Sequence, residues 1–244
     1  MSKLKTFMGW SLMSLAFLTS AKAQTVDDII NKNIEAVGGK EVLSKITSAT
    51  FHGTVSAMGN DFPITVIIVN GKGYKTISSV NGMDIIQCVT ETGGWMLNPL
   101  MGQTSAQAIP ADQLKAMKAL LYIGGPLVDY KDKGYSAELA GREDVAGQSN
   151  YKVHLFDNKG TDVVYYINPQ TYLVSKAVTT AKVTGKQDVT NPSAFSDYRK
   201  TDIGYTMAYT VATASMGYDM TLTYTLVEFN KDVDPKTFEM PGSN

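Results

Sequence analysis

Alternation of apolar and polar positions dominates the chain from Ser48 onward. Phe51, Gly53, Val55 and Ala57 alternate with His52, Thr54, Ser56 and Met58, the period of two expected of a β-strand. Gly59-Asn60 then makes a turn. The apolar run 64–69 is closed by Asn70-Gly71 and the run 74–80 by Asn81-Gly82. Asn-Gly between two such runs is the strongest short hairpin signal. The run 83–90 ends at Gly93-Gly94. Later segments repeat the scheme: 151–156 turns at Asn158-Lys159-Gly160, 162–167 at Asn168-Pro169, and 172–183 at Gly185, before 205–212 and 218–229. Turn signals at this spacing predict an antiparallel meander of about ten strands. Pro235 and Pro241 predict a loose tail.

Two segments switch to helical spacing. Thr25 can cap a helix, with Asp28 at the capping-box position and Asp27 beside it at the positive helix end. Ile29, Ile30, Ile34 and Val37 then form an apolar stripe, and Gly38-Gly39 stops it. A second short turn is expected over 41–46. In mid-chain, Pro110-Ala111-Asp112 leads into a segment with Leu114, Met117, Leu120 and Leu121 on one face and Lys115 and Lys118 elsewhere; Gly124-Gly125-Pro126 ends it. The predicted class is mainly β (α+β), with two helices to cover the strands. No Pro/Ser-rich linker, charge block or low-complexity tract divides the chain, so residues 24–244 are expected to form a single domain.

Residues 1–23 are read as a cleaved secretory signal. Lys3 and Lys5 precede an apolar run over 7–18, and Ala21-Lys22-Ala23 supplies the small-x-small cleavage pattern. The run is too short for the roughly 20 apolar residues of a membrane span. Gln24, not cysteine, follows the cleavage site, so no lipid anchor is expected. An exported, soluble chain is expected, not an integral membrane protein. Loss of Lys3, Lys5 and Lys22 leaves 19 basic against 23 acidic residues, a net charge of −4 rather than −1. Such a balance gives little affinity for nucleic acid. Cys88, the single cysteine, sits in the strand-like run Ile85-Ile86-Gln87-Cys88-Val89 and reads as a small buried apolar residue.

Catalytic and cofactor signatures are absent. His52 and His154 stand alone in separate strands, without the clustered ligands of a transition-metal site. No nucleophile elbow, Ser-x-x-Lys, phosphate loop or dinucleotide fingerprint occurs. Glu138, Glu143, Asp144, Asp157 and Asp162 sit in turn-like polar surroundings, where solvated turns are expected rather than a carboxylate pair. The chain is therefore expected to be neither an enzyme nor a cofactor protein.

Its unusual features are apolar. Ile64, Val66 and Ile68 oppose Ile67 and Val69, and Val163, Tyr165 and Ile167 oppose Val164 and Tyr166. Strands apolar on both faces are covered on both sides, or one face lines an apolar cavity. Two helices are few for ten strands, which favours a cavity with tyrosine- and methionine-bearing walls. The stretch 91–103, carrying Trp95, Leu97 and Met101, either plugs the core or joins the segment 114–121 as a lid. On the lid reading the candidate ligand-binding residues are Trp95, Leu97, Met101, Leu114, Met117, Leu121 and Tyr166.

Several motifs together give the chain a resemblance to exported LolA/LolB-like outer membrane lipoprotein-sorting proteins of Bacteroidetes type. They are Ala36-Val37-Gly38-Gly39, then Gly93-Gly94-Trp95 with Pro99 and Gly102-Gln103, and Gly125-Pro126-Leu127-Val128-Asp129-Tyr130. Glu138-Leu139-Ala140-Gly141-Arg142, Tyr165-Tyr166-Ile167-Asn168-Pro169 and Phe195-Ser196-Asp197-Tyr198 complete them. The likeness spans nearly all of 24–244, but its motifs are turns and strands and specify fold better than activity. One departure is local: relatives often read Asp-Gly-Ile where this chain has Thr201-Asp202-Ile203-Gly204. The resemblance implies an incomplete antiparallel β-barrel whose concave face is covered by helices and accepts acyl chains. It further implies a periplasmic carrier for a lipid or lipoprotein acyl chain, without cofactor, meeting an envelope protein partner transiently. The alternative is a non-catalytic interaction module of the envelope whose cavity is filled by its own side chains.

Overall fold

The computed structural model describes residues 24–158, 160–181, 188–215 and 218–242. The expected signal segment and the Gly185 turn lie outside them. Strands β1 (Ser48–Ala57), β2 (Asn60–Val69), β3 (Gly73–Val80), β4 (Met83–Thr90), β5 (Gly94–Leu97) and β6 (Gln107–Ala108) form one meander. A second comprises β7 (Ser136–Val145), β8 (Gln148–Phe156), β9 (Asp162–Ile167), β10 (Val174–Ala181), β11 (Val189–Lys200), β12 (Thr206–Ser215) and β13 (Tyr218–Phe229). Antiparallel pairing of β1 with β13 joins the two into one 13-stranded sheet, with β6 and β7 at its edges. Because β6 and β7 do not pair, the sheet curls without closing, and the incomplete barrel expected from the resemblance is what forms.

Thirteen strands, not ten, result from elements with weak local signals. β7 carries Glu138, Arg142, Glu143 and Asp144 and is largely exposed. Polar residues on both faces erase its alternation, and charges on an edge strand discourage pairing with another chain. Glu138, Glu143 and Asp144 are therefore strand residues rather than turn residues, and Asp162 opens β9. Pro192 disguises β11, since proline argues against a central strand. The hairpin turns Met58-Gly59 and Asn81-Gly82 have positive φ at both residues (51° and 75°, 51° and 76°), the twist-matched geometry of tight hairpins. The divergent segment at Thr201 keeps a hydrogen-bonded turn, with Gly204 N–H donating to the Thr201 carbonyl at 2.9 Å.

Helix α1 (Val26–Ala36) starts at the predicted capping box: the Thr25 hydroxyl accepts from Asp28 N–H at 3.1 Å and Asp28 accepts from Thr25 N–H at 2.9 Å. Its buried Ile29, Ile30 and Ile34 join Leu43 of α2 (Gly39–Ser44) in a core with Ala49, Phe51 and Val66 from the first meander. Tyr151, Val153, Leu155 and Ile167 enter the same core from the second, so α1 plugs one end of the bowl between its two wings. The mid-chain helix is shorter than expected: α3 (Ala111–Met117) gives way to a 3-10 turn at Lys118–Leu121. The tail is not loose. A 3-10 turn at Pro235–Phe238 lays Phe238 and Met240 on the convex side of β4 and β5. No helix among the described residues is long and apolar enough to cross a membrane.

Candidate ligand-binding cavity

Curvature originates at the junction of the meanders. A register shift between His52 and Gly53 leaves Thr225 as an extra residue in β13, and such a bulge bends a strand. Gly53 permits it, since a Cβ there would lie 2.1 Å from the Thr223 carbonyl oxygen. The concave side then encloses a cavity of about 890 Å³, at the upper end of the roughly 300–1,000 Å³ usual for small-molecule sites.

Same-face residues of neighbouring strands make the walls. Phe51 of β1 pairs in register with Val66 of β2, and its ring centroid lies 5.2 Å from that of Tyr224 on β13. Ile68 and Tyr74 extend this wall through β2 and β3. Val163, Tyr165, Val174, Ala177, Phe195 and Met207 supply the other wing. Met117, Ala119, Leu120 and Tyr122, from α3 and the segment after it, cover the opening.

The cavity is polarised along its axis. Val37, the residue just after α1, and Ile123 and Leu127 of the loop after Leu121 close one end. That loop is held by Lys133, whose ammonium donates to the Val128 and Gly125 carbonyls at 2.6 and 3.3 Å and lies 4.2 Å from the Tyr122 ring centre. Burial lowers the Lys133 pKa. At the other end stand Thr179, Asn191, Ser193 and Thr213. Pairing of Thr179 with Val163 and Asn191, and of Ser193 with Thr213, gathers the strand residues at one rim.

Buried tyrosines line the interior. Burial raises the phenol pKa of Tyr74, Tyr165 and Tyr198, and pushes Tyr205 and Tyr224 to about 12. The surface these rings keep faces the cavity wall, where an ionised phenolate would find little solvation. The Tyr198 hydroxyl donates to the Val174 carbonyl at 2.7 Å, and Tyr205 bonds the Gly124 backbone. Among the described residues, the hydroxyls of Tyr74, Tyr165 and Tyr224 make no hydrogen bond.

Of the seven residues singled out from the sequence, Met117 alone lines the cavity. Leu114 and Leu121 lie next to it, packed beneath the covering segment with Val89 and Ile109. Trp95 and Leu97 point the other way: β5 alternates, so they join Cys88 and the tail on the convex side while Met96 faces the covering segment. The stretch around Trp95 is thus a sheet edge, not a lid. Met101 is 63% exposed in the turn Pro99–Met101. Tyr166 faces away from the cavity, opposite in parity to the lining Tyr165, with the Lys152 and Lys176 ammonium groups 5.9 and 5.1 Å from its ring centre. The overlooked wall carried one usable signal. The turn after Ala57 aligns Phe51 with Val66, which marks Ile64, Val66 and Ile68 as the concave face.

Among the described residues no group of three or more His, Cys, Asp and Glu side chains is placed to hold a metal ion. His154 lies between two carboxylates, its Nδ1 3.1 Å from Glu138 and its Nε2 3.1 Å from Asp162.

No family model matches the sequence, and no curated protein matches it either. Solved structures match in fold. A LolA superfamily protein from Nitrosomonas europaea superposes with a TM-score of 0.58 at 13% identity, over 89% of this chain and 98% of its own. A domain named for outer membrane lipoprotein sorting, from Vibrio parahaemolyticus, gives 0.54 at 14% identity over 86% and 95%. A DUF1329 family protein from Desulfovibrio piger gives 0.50 at 12% identity over 89% and 98%. At these identities the likeness is one of fold. The chain has the open antiparallel half-barrel fold of LolA superfamily and lipoprotein-sorting proteins.

Proposed function

We propose that this chain is an exported periplasmic carrier that holds a hydrophobic ligand, a lipid or the acyl chains of a lipoprotein, in its half-barrel. The observation that carries this reading is the apolar cavity of about 890 Å³, closed at one end by α1 and polar at the other. Each methylene moved from water onto such a wall contributes about 0.8 kcal/mol, so a long acyl chain gains more there than a compact polar solute. The shared fold with a domain named for lipoprotein sorting supports the same reading. Carriage needs no covalent step and no cofactor. It does need a donor and an acceptor for the cargo, and a transient envelope partner fills that role. Removal of residues 1–23 leaves 24–244 as one working unit, which N-terminal sequencing of the exported protein checks.

Native mass spectrometry of protein purified from its own periplasm tests the function. Wild type is expected to carry a co-purifying lipid. Ala177→Trp, which fills part of the cavity, is expected to lose that lipid while keeping its β-sheet circular dichroism. Lipid-free wild type, together with no uptake of an added apolar fluorophore, would sink the carrier reading in favour of an interaction module.

A further inference from the structure

A cavity of this size selects by what its wall can solvate. Asp162 is the sole charged side chain among the described lining residues. Its side chain shares the parity of Tyr166 and bonds His154, so its charge faces away from the cavity. Lys133 touches the lining residues Tyr122 and Gly125, but its ammonium is engaged by two backbone carbonyls. An anionic headgroup drawn inside would therefore lose its water with no cation from the described lining residues in exchange. Moving an unpaired carboxylate into such surroundings is strongly unfavourable.

The same wall offers neutral donors. Tyr74 on β3, Tyr224 on β13 and Tyr165 on β9 line the cavity from different parts of the sheet, and their hydroxyls make no hydrogen bond among the described residues. None of the three oxygens is sealed off without a partner, so each is open to the cavity and free to donate to an acceptor that arrives with the ligand. These phenols keep their protons at any physiological pH, because burial disfavours the phenolate. A carbonyl oxygen of an ester or amide accepts such a bond without bringing charge into the cavity.

Resting on the carrier reading above, we propose that the cavity selects uncharged acyl esters or amides over free fatty-acid anions, with the Tyr74, Tyr165 and Tyr224 hydroxyls donating to the ligand's carbonyl oxygens. The three tyrosines are then specificity determinants, and the apolar wall supplies affinity for the chain itself.

Displacement of a bound apolar fluorophore separates the possibilities, using monolauroylglycerol, laurate and dodecane as competitors of matched chain length. At pH 8 the ester is expected to bind at least about tenfold more tightly than laurate, and laurate to gain affinity as the pH falls and its carboxyl is protonated. Replacing all three tyrosines by phenylalanine keeps the rings and is expected to weaken the ester about tenfold while leaving dodecane unchanged; a tenfold change corresponds to about 1.4 kcal/mol. Tyr165→Phe alone, the mildest variant, should move the ester in the same direction. Equal affinity for laurate anion and ester, or an ester affinity indifferent to the phenylalanine variants, would overturn the proposal while leaving the carrier intact. Failure of all three competitors, dodecane included, would instead overturn the carrier reading and this proposal with it.

Discussion

Trp95 Nε1 donates a 3.0 Å hydrogen bond to the Phe238 carbonyl oxygen, tying a β5 side chain to the C-terminal tail across the convex face of the sheet. Cys88 Sγ reaches the same oxygen at 3.4 Å, and the Lys75 ammonium donates to the Thr237 carbonyl at 2.8 Å. The tail thus covers a strand face that would otherwise present Cys88, Trp95 and Ile86 to water. Phe238→Ala is expected to destabilise the protein by about 2 kcal/mol, less than for a fully buried phenylalanine because Phe238 is half-buried. Gly73→Ala should act on the same contact, since its Cβ would meet the Phe238 ring at 2.8 Å. With residues 1–23 removed Trp95 is the single tryptophan, so a red shift of its emission in either variant, read beside urea unfolding, reports the release of the tail.

Cys88 is fully buried beneath that tail, and burial pushes its thiol up to about 11. Only the thiolate alkylates readily. Iodoacetamide at pH 8 is expected to leave Cys88 unmodified in the native protein and to label it fully in denaturant. Stoichiometric labelling of the native protein by mass spectrometry would show that the convex cluster opens.

Gly53 sets the bend at the centre of the sheet. Gly53→Ala forces a Cβ against the Thr223 backbone, so a loss of about 3 kcal/mol or more, or failure to fold, is expected. Gly59→Ala at the hairpin tip meets nothing within 4 Å and carries only the strain of a φ of +75°; its expected cost is about 1 kcal/mol. Equal urea midpoints for the two variants would show that the bulge is not under steric control.

Alkaline pH should weaken the wall of the cavity. Tyr205 and Tyr224 titrate at about 12 in the fold, above the unfolded value near 10. A phenol that is a weaker acid when folded contributes stability that is complete below pH about 10 and is lost as pH rises through the folded value. Phenolate absorbance is therefore expected to rise in two stages, exposed tyrosines first, with the buried set appearing together with loss of near-UV circular dichroism. A single ordinary titration with the fold intact would contradict this.

Asn33 is a buried polar residue of α1 whose Nδ2 donates to the Tyr172 carbonyl at 2.7 Å. Asn33→Ala removes the donor and leaves that acceptor unpaired, with an expected loss of about 1–2 kcal/mol in urea unfolding. Asn33 also borders the cavity, so faster release of a bound fluorophore should accompany the loss.

Much of the fold was legible because its signals are local. The Thr25–Asp28 capping box, the Gly38-Gly39 stop and the Asn81-Gly82 turn depend on residues close in sequence, and each forms as read. The hidden strands lack such signals. β7 is solvated on both faces, and β11 carries Pro192, which pairs with Val178 of β10 and lies just outside the register with β12. The site was read less well than the fold. Trp95 and Tyr166 are large and apolar enough to suggest a ligand wall, yet each sits one residue away in parity from a side chain on the concave side.

The period of two determines that neighbouring residues of a strand lie on opposite faces, and turn residues determine where each strand stops. The sequence by itself therefore decided an antiparallel β protein with a capped first helix. Which face became concave was decided by tertiary structure. Strands apolar on both sides satisfy either orientation locally, so the choice falls to contacts distant in sequence. The Gly53 bulge against Thr223 bends the sheet one way, α1 plugs one end of the bowl, and Phe238 seals the outside over Trp95.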